Sequence, residues 1–383
     1  MSEYIDGNQI TLLRNGADFF PALEAAFDSA SFEIHLETYI YRADVTGHRI
    51  GDALKRAAQR GVSVNVLLDG FGSKDLPRDF VKTLEMAGVK IMFYRPQISP
   101  WTLKRNRLRR LHRKVTVIDG RIAFVGGINI IDDFDTPRIT VPRLDYAVQI
   151  QGALLPAIHA NTRKLWQRIS RTHLRKSAPV YGIQELITAS GNMRAAFLVR
   201  DNVLHRREIE HAYLTAIANA KSEIIIANAY FLPGRHFRRV LLNAAKRGVC
   251  IKLLLQGRME YLMMFATHAF YSVFLRHNIE IYEYNKGYMH SKVAVIDGEW
   301  ATVGSSNIDP FSLLLAREAN IVVRDKNFAA ELRQDIITAM AQDALHIKAE
   351  VWQRGHIFRR LITWVMYGIM RFGLGIIGYP NQL

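Results

Sequence analysis

A chain of 383 residues has room for about two domains with their own cores, and 49% hydrophobic with 10% aromatic residues excludes a disordered polymer. Lys and Arg number 51 against 35 Asp and Glu, a formal charge of +16, so the partner class is anionic: nucleic acid, an acidic membrane or a phosphate ester. The single cysteine, Cys250, excludes an internal disulfide and a thiolate metal cluster.

The first residues, MSEYIDGNQITLL, lack the basic and apolar regions of a signal peptide or an N-terminal membrane helix. EIHLETYIY (33–41) and SVNVLLD (63–69) have strand length, and the second is continuously apolar, as in strands covered on both faces. Between them ALKRAAQRGV reads as a helix stopped by glycine. GVKIMFY (88–94) is a third strand. The basic run KRNRLRR (104–110) then leads into LHRKVTVIDGRIAFVGGIN, a strand hairpin carrying His112, Lys114, Asp119 and Asn129. Alternate strand residues share a face, so His112, Lys114 and Thr116 point one way. Asp119 falls at the hairpin turn before Gly120, where it is expected to orient or compensate charge near the imidazole as well as make the turn. Asp145 follows in LDYAVQI. The stretch 171–195 has the weakest pattern and is the predicted linker.

Beyond the linker the sequence repeats itself. A helix is predicted over 206–220. EIIIANAYF (223–231) then matches EIHLETYIY, LLNAAKRGVCIKLLLQG (241–257) matches ALKRAAQRGVSVNVLLDG (53–70), and NIEIYEY (278–284) matches GVKIMFY. Cys250 is expected to be a small buried core residue. The Met- and aromatic-rich segment 259–276 reads equally as a core helix or as an entry for lipid tails. MHSKVAVIDGEWATVGSSN repeats the motif with His290, Lys292, Asp297 and Asn307. Glu318 lies in REANIVV, and a further helix is predicted over 326–343. From Val351 onward there is no acidic residue, while Arg354, Arg359, Arg360 and Arg371 interrupt or precede an apolar span, Leu361–Ile377, that is short for a membrane crossing. It predicts a helix lying in the headgroup region.

These elements predict an α/β protein of two similar mixed-sheet domains, residues 1–175 and 190–345, related by a pseudo-twofold axis with the active site at their interface, and a basic apolar tail over 346–383. Chance duplication of His-x-Lys-x4-Asp is rarer than roughly one in a thousand. The chemistry of the pair is phosphodiester exchange. Lys114 and Lys292 neutralise the non-bridging oxygens, with Asn129 and Asn307 as neutral donors. One imidazole attacks phosphorus and the other protonates the departing alkoxide. A carboxylate on each imidazole sets its tautomer: Asp145 is expected to serve the first half and Glu318 the second. This scheme needs no metal, and His-x-Lys is no zinc spacing.

The duplicated motif resembles that of the phospholipase D superfamily. RNGADFFPAL, LLDGFGS, RLRRLHRKVTVID, GGIN, IIANAYFLPG and ATVGSSNIDPFSLLLAREAN further resemble, within it, the bacterial cardiolipin synthases of the B type, over about residues 8–345. Other cardiolipin synthases begin with two membrane helices, which this sequence does not show. The resemblance implies two phospholipase D-like domains and exchange between two phosphatidylglycerol molecules to give cardiolipin and glycerol. It also implies the catalytic sets His112, Lys114, Asp119 and His290, Lys292, Asp297, with His112 as nucleophile and His290 as acid and base. No cofactor is implied. The partners are anionic phospholipid and a membrane surface met by the tail, at the bacterial inner membrane and peripheral to it. Nucleic acid is not expected, and the oligomeric state is left open. Phosphatidylethanolamine as donor, or water as acceptor, would give a related transphosphatidylase or a hydrolase. A superfamily nuclease would use the same pairs on DNA. A non-catalytic lipid-binding module would show decay of one motif, and both are intact.

Overall fold

The structure, a computed structural model, describes residues 3–96, 109–135, 141–172, 189–201, 204–258, 262–353 and 368. The first half runs β1 (Ile5–Arg14), α1 (Asn15–Asp28), β2 (Glu33–Thr38), α2 (Val45–Gln59), β3 (Ser63–Asp69), α3 (Arg78–Met86), β4 (Lys90–Tyr94), β5 (Lys114–Ile118), β6 (Ile122–Gly126), β7 (Tyr146–Gly152) and α4 (Leu155–Thr172). The second repeats that order with one short helix added before its last strand: β8 (Met193–Arg200), α5 (Glu208–Asn219), β9 (Glu223–Asn228), α6 (Arg235–Lys246), β10 (Cys250–Gln256), α7 (Leu262–Leu275), β11 (Glu280–Tyr284), β12 (Lys292–Ile296), β13 (Trp300–Gly304), α8 (Pro310–Leu314), β14 (Glu318–Arg324) and α9 (Lys326–Asp343). A short edge strand, β15 (Ala344–His346), and α10 (Ala349–Gln353) follow.

Local chemistry explains the breaks. Asp44 caps α2 by accepting the Gly47 N–H, and Asp325 caps α9 through Phe328. The two RGV strings end α2 and α6 with Gly61 at φ +92° and Gly248 at φ +88°, a backbone region open to glycine at little cost. At each motif hairpin Asp119 and Asp297 both take φ 52° and are followed by Gly120 and Gly298 at φ 65° and 64°. Asp-Gly supplies the two successive positive φ values of a tight turn closed by Arg121 N–H donating to Ile118 O at 2.9 Å, inside a three-residue loop that leaves Ile118 paired with Ile122 and Ile296 with Trp300.

Within each half the strands after the crossover helices pair in parallel, and the motif hairpin and last strand add antiparallel. The order is β4-β3-β2-β5-β6-β7-β1 in the first lobe and β8-β14-β13-β12-β9-β10-β11-β15 in the second. β1 and β8 pair antiparallel, so the two lobes share one continuous 15-stranded sheet rather than standing as separate sheets. The hydrophobic core follows from this. One cluster lies under the helices of the first lobe, around Phe27, Leu54 and Leu36, and one under those of the second, around Leu241, Phe274 and Ile281. A third contains Val115, Val125 and Val148 together with Val293, Val303 and Ile321. The sheet therefore coils until the motif strands of both lobes lie against each other, and each fully buried aliphatic side chain there contributes about 1.5–3 kcal/mol.

The helix expected over 326–343 is α9, residue for residue, and that expected over 206–220 starts at Glu208. Cys250 departs from expectation. It is exposed, because it is the first residue of β10 and precedes the apolar run, and its Sγ lies 3.9 Å from Glu280. In the 259–276 segment Ala269, Phe270, Tyr271 and Phe274 pack into the second-lobe core beside Trp352, which favours the core reading there. Most of the predicted linker, most of KRNRLRR and nearly all of the tail lie outside the described residues. Among the described residues no helix is long and apolar enough to cross a membrane.

Candidate active site

Each motif histidine sits in the residue or two before its hairpin strand, and a backbone segment of the opposite lobe holds it there. The His112 N–H donates to Arg317 O at 3.0 Å, and Arg317 N–H donates back to Arg110 O at 2.8 Å. In mirrored fashion the His290 N–H donates to Leu144 O at 2.9 Å, and Leu144 N–H to Tyr288 O at 3.0 Å. Leu111–Arg317 and Leu144–Met289 are thus matching parallel bridges across the interface.

The carboxylates cross over in the same way. His112 Nδ1 lies 2.9 and 3.1 Å from the Glu318 oxygens, and His290 Nδ1 lies 2.7 Å from Asp145 Oδ2. Asp145 was expected to serve the first motif and Glu318 the second. Each instead orients the histidine of the other lobe, because the bridges bring the start of each lobe's last strand against the other lobe's histidine. Both carboxylates are buried. With Nδ1 engaged, each imidazole leaves Nε2 for chemistry. Glu318 is also held by the Ser305 hydroxyl at 2.5 Å. The matched position in the first lobe is Gly127, where a Cβ would stand 2.2 Å from Asp145 Oδ1, so only glycine leaves room for that carboxylate.

Lys114 and Lys292, the first residues of β5 and β12, are buried and donate to the carbonyls of His112 and His290. Burial lowers Lys114 to about 7, with Lys292 adding to it and Glu318 opposing. Burial likewise lowers Lys292 to about 8 against the pull of Asp145 and Glu318. Burial lowers His112, Glu318 opposes it, and Lys114 and Lys292 push further down. His290 is driven well below the usual histidine value by burial, then by Lys292, Lys114 and His112. Burial raises Asp145 to about 6, with Lys292 resisting. The two half-sites therefore act on one another as a single electrostatic unit. Burial is the leading cause of each shift, and it biases both imidazoles toward the neutral form.

The remaining expected residues are placed differently. Asp119 spends its carboxylate on the backbone N–H groups of Ser31, Phe32 and Glu33, each at 2.8 Å, and Asp297 on Lys221, Ser222 and Glu223. They stand at the far end of five-residue strands, roughly 16 Å from the lysines, so they splice the hairpin to the preceding strand and do not orient an imidazole. Asn129 accepts from Ile40 N–H at 3.0 Å, while the Asn307 Oδ1 is buried without a hydrogen-bond partner among the described residues.

Three further contributors had no place in the sequence reading. Tyr39 sets its ring edge-on to His112 at 4.9 Å and lies 5.5 Å from the Lys114 ammonium. Asp69, fully buried at the end of β3, accepts from Leu111 N–H at 2.8 Å and from the Arg110 guanidinium at 2.7 Å. This also spends Arg110, the last residue of the basic run, on an internal ion pair. Gln256, at the matching end of β10, accepts from Met289 N–H at 3.3 Å. Asp69 and Gln256 thus pin the residue before each histidine. Their signal was a polar residue closing the same apolar run in both repeats, LLDG and LLQG.

A family model for the cardiolipin synthase, PLD-like domain matches residues 23–133 and 213–340, the two lobes in turn. Cardiolipin synthase B of Escherichia coli K12 is 37% identical over 353 residues, 89% of this chain and 83% of that protein. The major cardiolipin synthase ClsA of Bacillus subtilis is 30% identical over 337 residues, 86% of this chain and 68% of that protein. A phosphatidylserine synthase from Haemophilus influenzae shares the fold, with TM-score 0.70 at 13% identity over 99% of this chain and 97% of that one.

Proposed function

Because the chain belongs to the cardiolipin synthase family of phospholipase D-like proteins, we propose that it is a phosphatidyltransferase joining two phosphatidylglycerol molecules into cardiolipin with release of glycerol. The observation that carries the reading is the crossed pair of histidines, each with Nδ1 on a buried carboxylate of the other lobe and with a buried lysine beside it. A bound phosphodiester anion places negative charge beside both buried lysines, and it raises them and the acid histidine back toward their charged forms. His112 Nε2 attacks phosphorus and forms a P–N bond as the P–O bond to glycerol breaks. His290, protonated, gives its proton to the departing glycerol oxygen. It then takes the proton from the headgroup hydroxyl of the second phosphatidylglycerol. That oxygen attacks phosphorus, the P–N bond breaks, and His112 is restored. Lys114 and Lys292 hold the non-bridging oxygens through both displacements. Asn129 and Asn307 serve as neutral partners for the phosphate and the incoming hydroxyl. The basic apolar tail brings the site to the inner membrane from one side, with anionic lipid as its surface partner.

The test is to incubate purified protein with glycerol-labelled phosphatidylglycerol in mixed micelles containing chelator. Cardiolipin and free labelled glycerol in equal amounts support the proposal. Phosphatidic acid alone would make the enzyme a hydrolase, and no lipid turnover with cleavage of DNA would make it a nuclease. Deleting 355–383 is expected to weaken binding to anionic vesicles while leaving turnover in micelles within about threefold. Unchanged vesicle binding would remove the tail's role.

A further inference from the structure

The two lobes solve one buried-charge problem in different ways, and the difference points to a metal site. β2 and β9 each begin with a glutamate, Glu33 and Glu223, whose carboxylate faces the helix that follows the lobe's last strand. In the second lobe two permanent cations meet it. Arg333 from α9 makes a two-pronged contact at 2.6 and 3.0 Å, and Lys252 from β10 reaches within 3.8 Å.

In the first lobe the nearest groups to the carboxylate are two imidazoles. His35 lies two residues along β2, on the same face, with Nε2 3.3 Å from Glu33 Oε2. His159 from α4 brings Nε2 to 2.5 Å from Glu33 Oε1. The side-chain atoms of the three residues lie within 4.8 Å of one another. Lys252 pairs in register with Ile225, two residues beyond Glu223; the first-lobe counterpart, paired with His35, is Asn65. Asn65 is 3% exposed, and its Oδ1 has no hydrogen-bond partner among the described residues. The lysine position of one lobe therefore holds, in the other, an unsatisfied oxygen acceptor, which is what a cation uses as a ligand. Arg163, also from α4, stays 4.0 Å from Glu33 Oε1, beyond hydrogen-bond distance, so both carboxylate oxygens remain engaged chiefly by the two imidazoles.

We infer that Glu33, His35 and His159 bind one divalent transition-metal ion of the zinc type, with Asn65 Oδ1 or water completing the coordination. Two imidazoles and one carboxylate are a donor set that zinc accepts in four-coordinate geometry, at about 2.0–2.2 Å from each ligand. The ion replaces the proton that each imidazole shares with the carboxylate, so its positive charge occupies the place that Arg333 and Lys252 fill in the second lobe. The site ties α4 to the start of β2 beside the Asp119 turn, at the end of the strands remote from the histidine pair. Its role is to fasten the first lobe, independently of phosphatidyl transfer.

The experiment uses the full-length, tag-free protein, stripped with chelator and titrated with zinc chloride. The expected result is one zinc per chain, a rise in Tm of a few degrees at ~100-fold excess over Kd, and zinc-edge absorption showing two imidazoles and oxygen without sulfur. His35→Gln and His159→Gln are each expected to weaken binding at least about tenfold, with the cardiolipin-forming rate unchanged on zinc removal. Absence of a bound equivalent in the wild-type protein would overturn the inference. So would sulfur in the zinc shell, or binding undiminished in both variants; the spectroscopic readout on wild-type protein stands even if a variant fails to fold.

Discussion

The first half-site and the second share a motif, yet their surroundings differ. His112 faces a glutamate fixed by the Ser305 hydroxyl and the edge of the Tyr39 ring. His290 faces the shorter Asp145, made possible by Gly127, and stands under the charges of two lysines and of His112. Burial lowers both imidazoles, and Lys114 and Lys292 push each further down, His290 the more strongly. In the mechanism proposed above, near-symmetry supplies two imidazoles with unequal surroundings, and the test is whether that inequality gives one the nucleophile's role and the other the acid's.

The largest effect that tests this division is removal of either imidazole. His112→Ala and His290→Ala should each lower cardiolipin formation by at least about a thousandfold. A phosphatidyl ester of p-nitrophenol separates the two, because that leaving group departs without a proton. His290→Ala should still release one burst equivalent of nitrophenolate and trap the phosphorylated protein, while His112→Ala should show no burst. A burst in His112→Ala and none in His290→Ala would reverse the assignment.

Next come the lysines. Lys114→Met and Lys292→Met should each lose about 100- to 1,000-fold in turnover. They should also change stability in a definite direction. A lysine held at about 7 or about 8 in the fold against an ordinary 10.5 binds fewer protons folded than unfolded, so wild-type stability rises with pH across that interval. The Met variants carry no such cost. They should be more stable than wild type near pH 6 by denaturant titration, on the order of a few kcal/mol, with the advantage vanishing toward pH 10. A constant difference at all pH values would contradict the buried-charge account.

The fold was legible because the repeat is written in apolar runs that survive as strands and helices, α9 to the residue. The histidines and lysines were legible because period-two geometry puts them on one face of a strand whatever surrounds it. What escaped is whatever depends on how the lobes meet. Asp145 follows the first motif and Glu318 the second, and within one repeat nothing signals that bridges at Leu144–Met289 and Leu111–Arg317 exchange them. Cys250 escaped for a smaller reason: strand starts are fixed only to within a residue or two, and it sits on that boundary.

The exchange is itself a prediction. Asp145→Asn should behave as a weak His290 variant, with full nitrophenolate burst and glycerol release slowed by about 10- to 100-fold. Glu318→Gln should instead slow the burst, as a weak His112 variant. If each substitution impaired the step of the histidine in its own motif, the crossed carboxylates would not be acting as orienting groups.

The smallest expected effect on activity belongs to the residue pair that the motif itself singles out. Asp119 and Asp297 each bind three backbone N–H groups while holding a positive φ at the hairpin turn. Asparagine tolerates that conformation and keeps one acceptor oxygen, whereas alanine does neither. Asp119→Asn should therefore retain turnover within about threefold, and Asp119→Ala should cost about 1–3 kcal/mol of stability through orphaned N–H groups while the folded fraction stays active. The same N–H bonds outweigh burial and hold the Asp297 carboxyl below its ordinary value. Its contribution to stability is consequently present above that ordinary value and fades as the solution is acidified through the folded one. Asp297→Asn should lose that acid dependence and little else. If Asp119→Asn abolished exchange in a fully folded protein, the carboxylate would have to act on the chemistry, and its place at the far end of β5 would need another explanation.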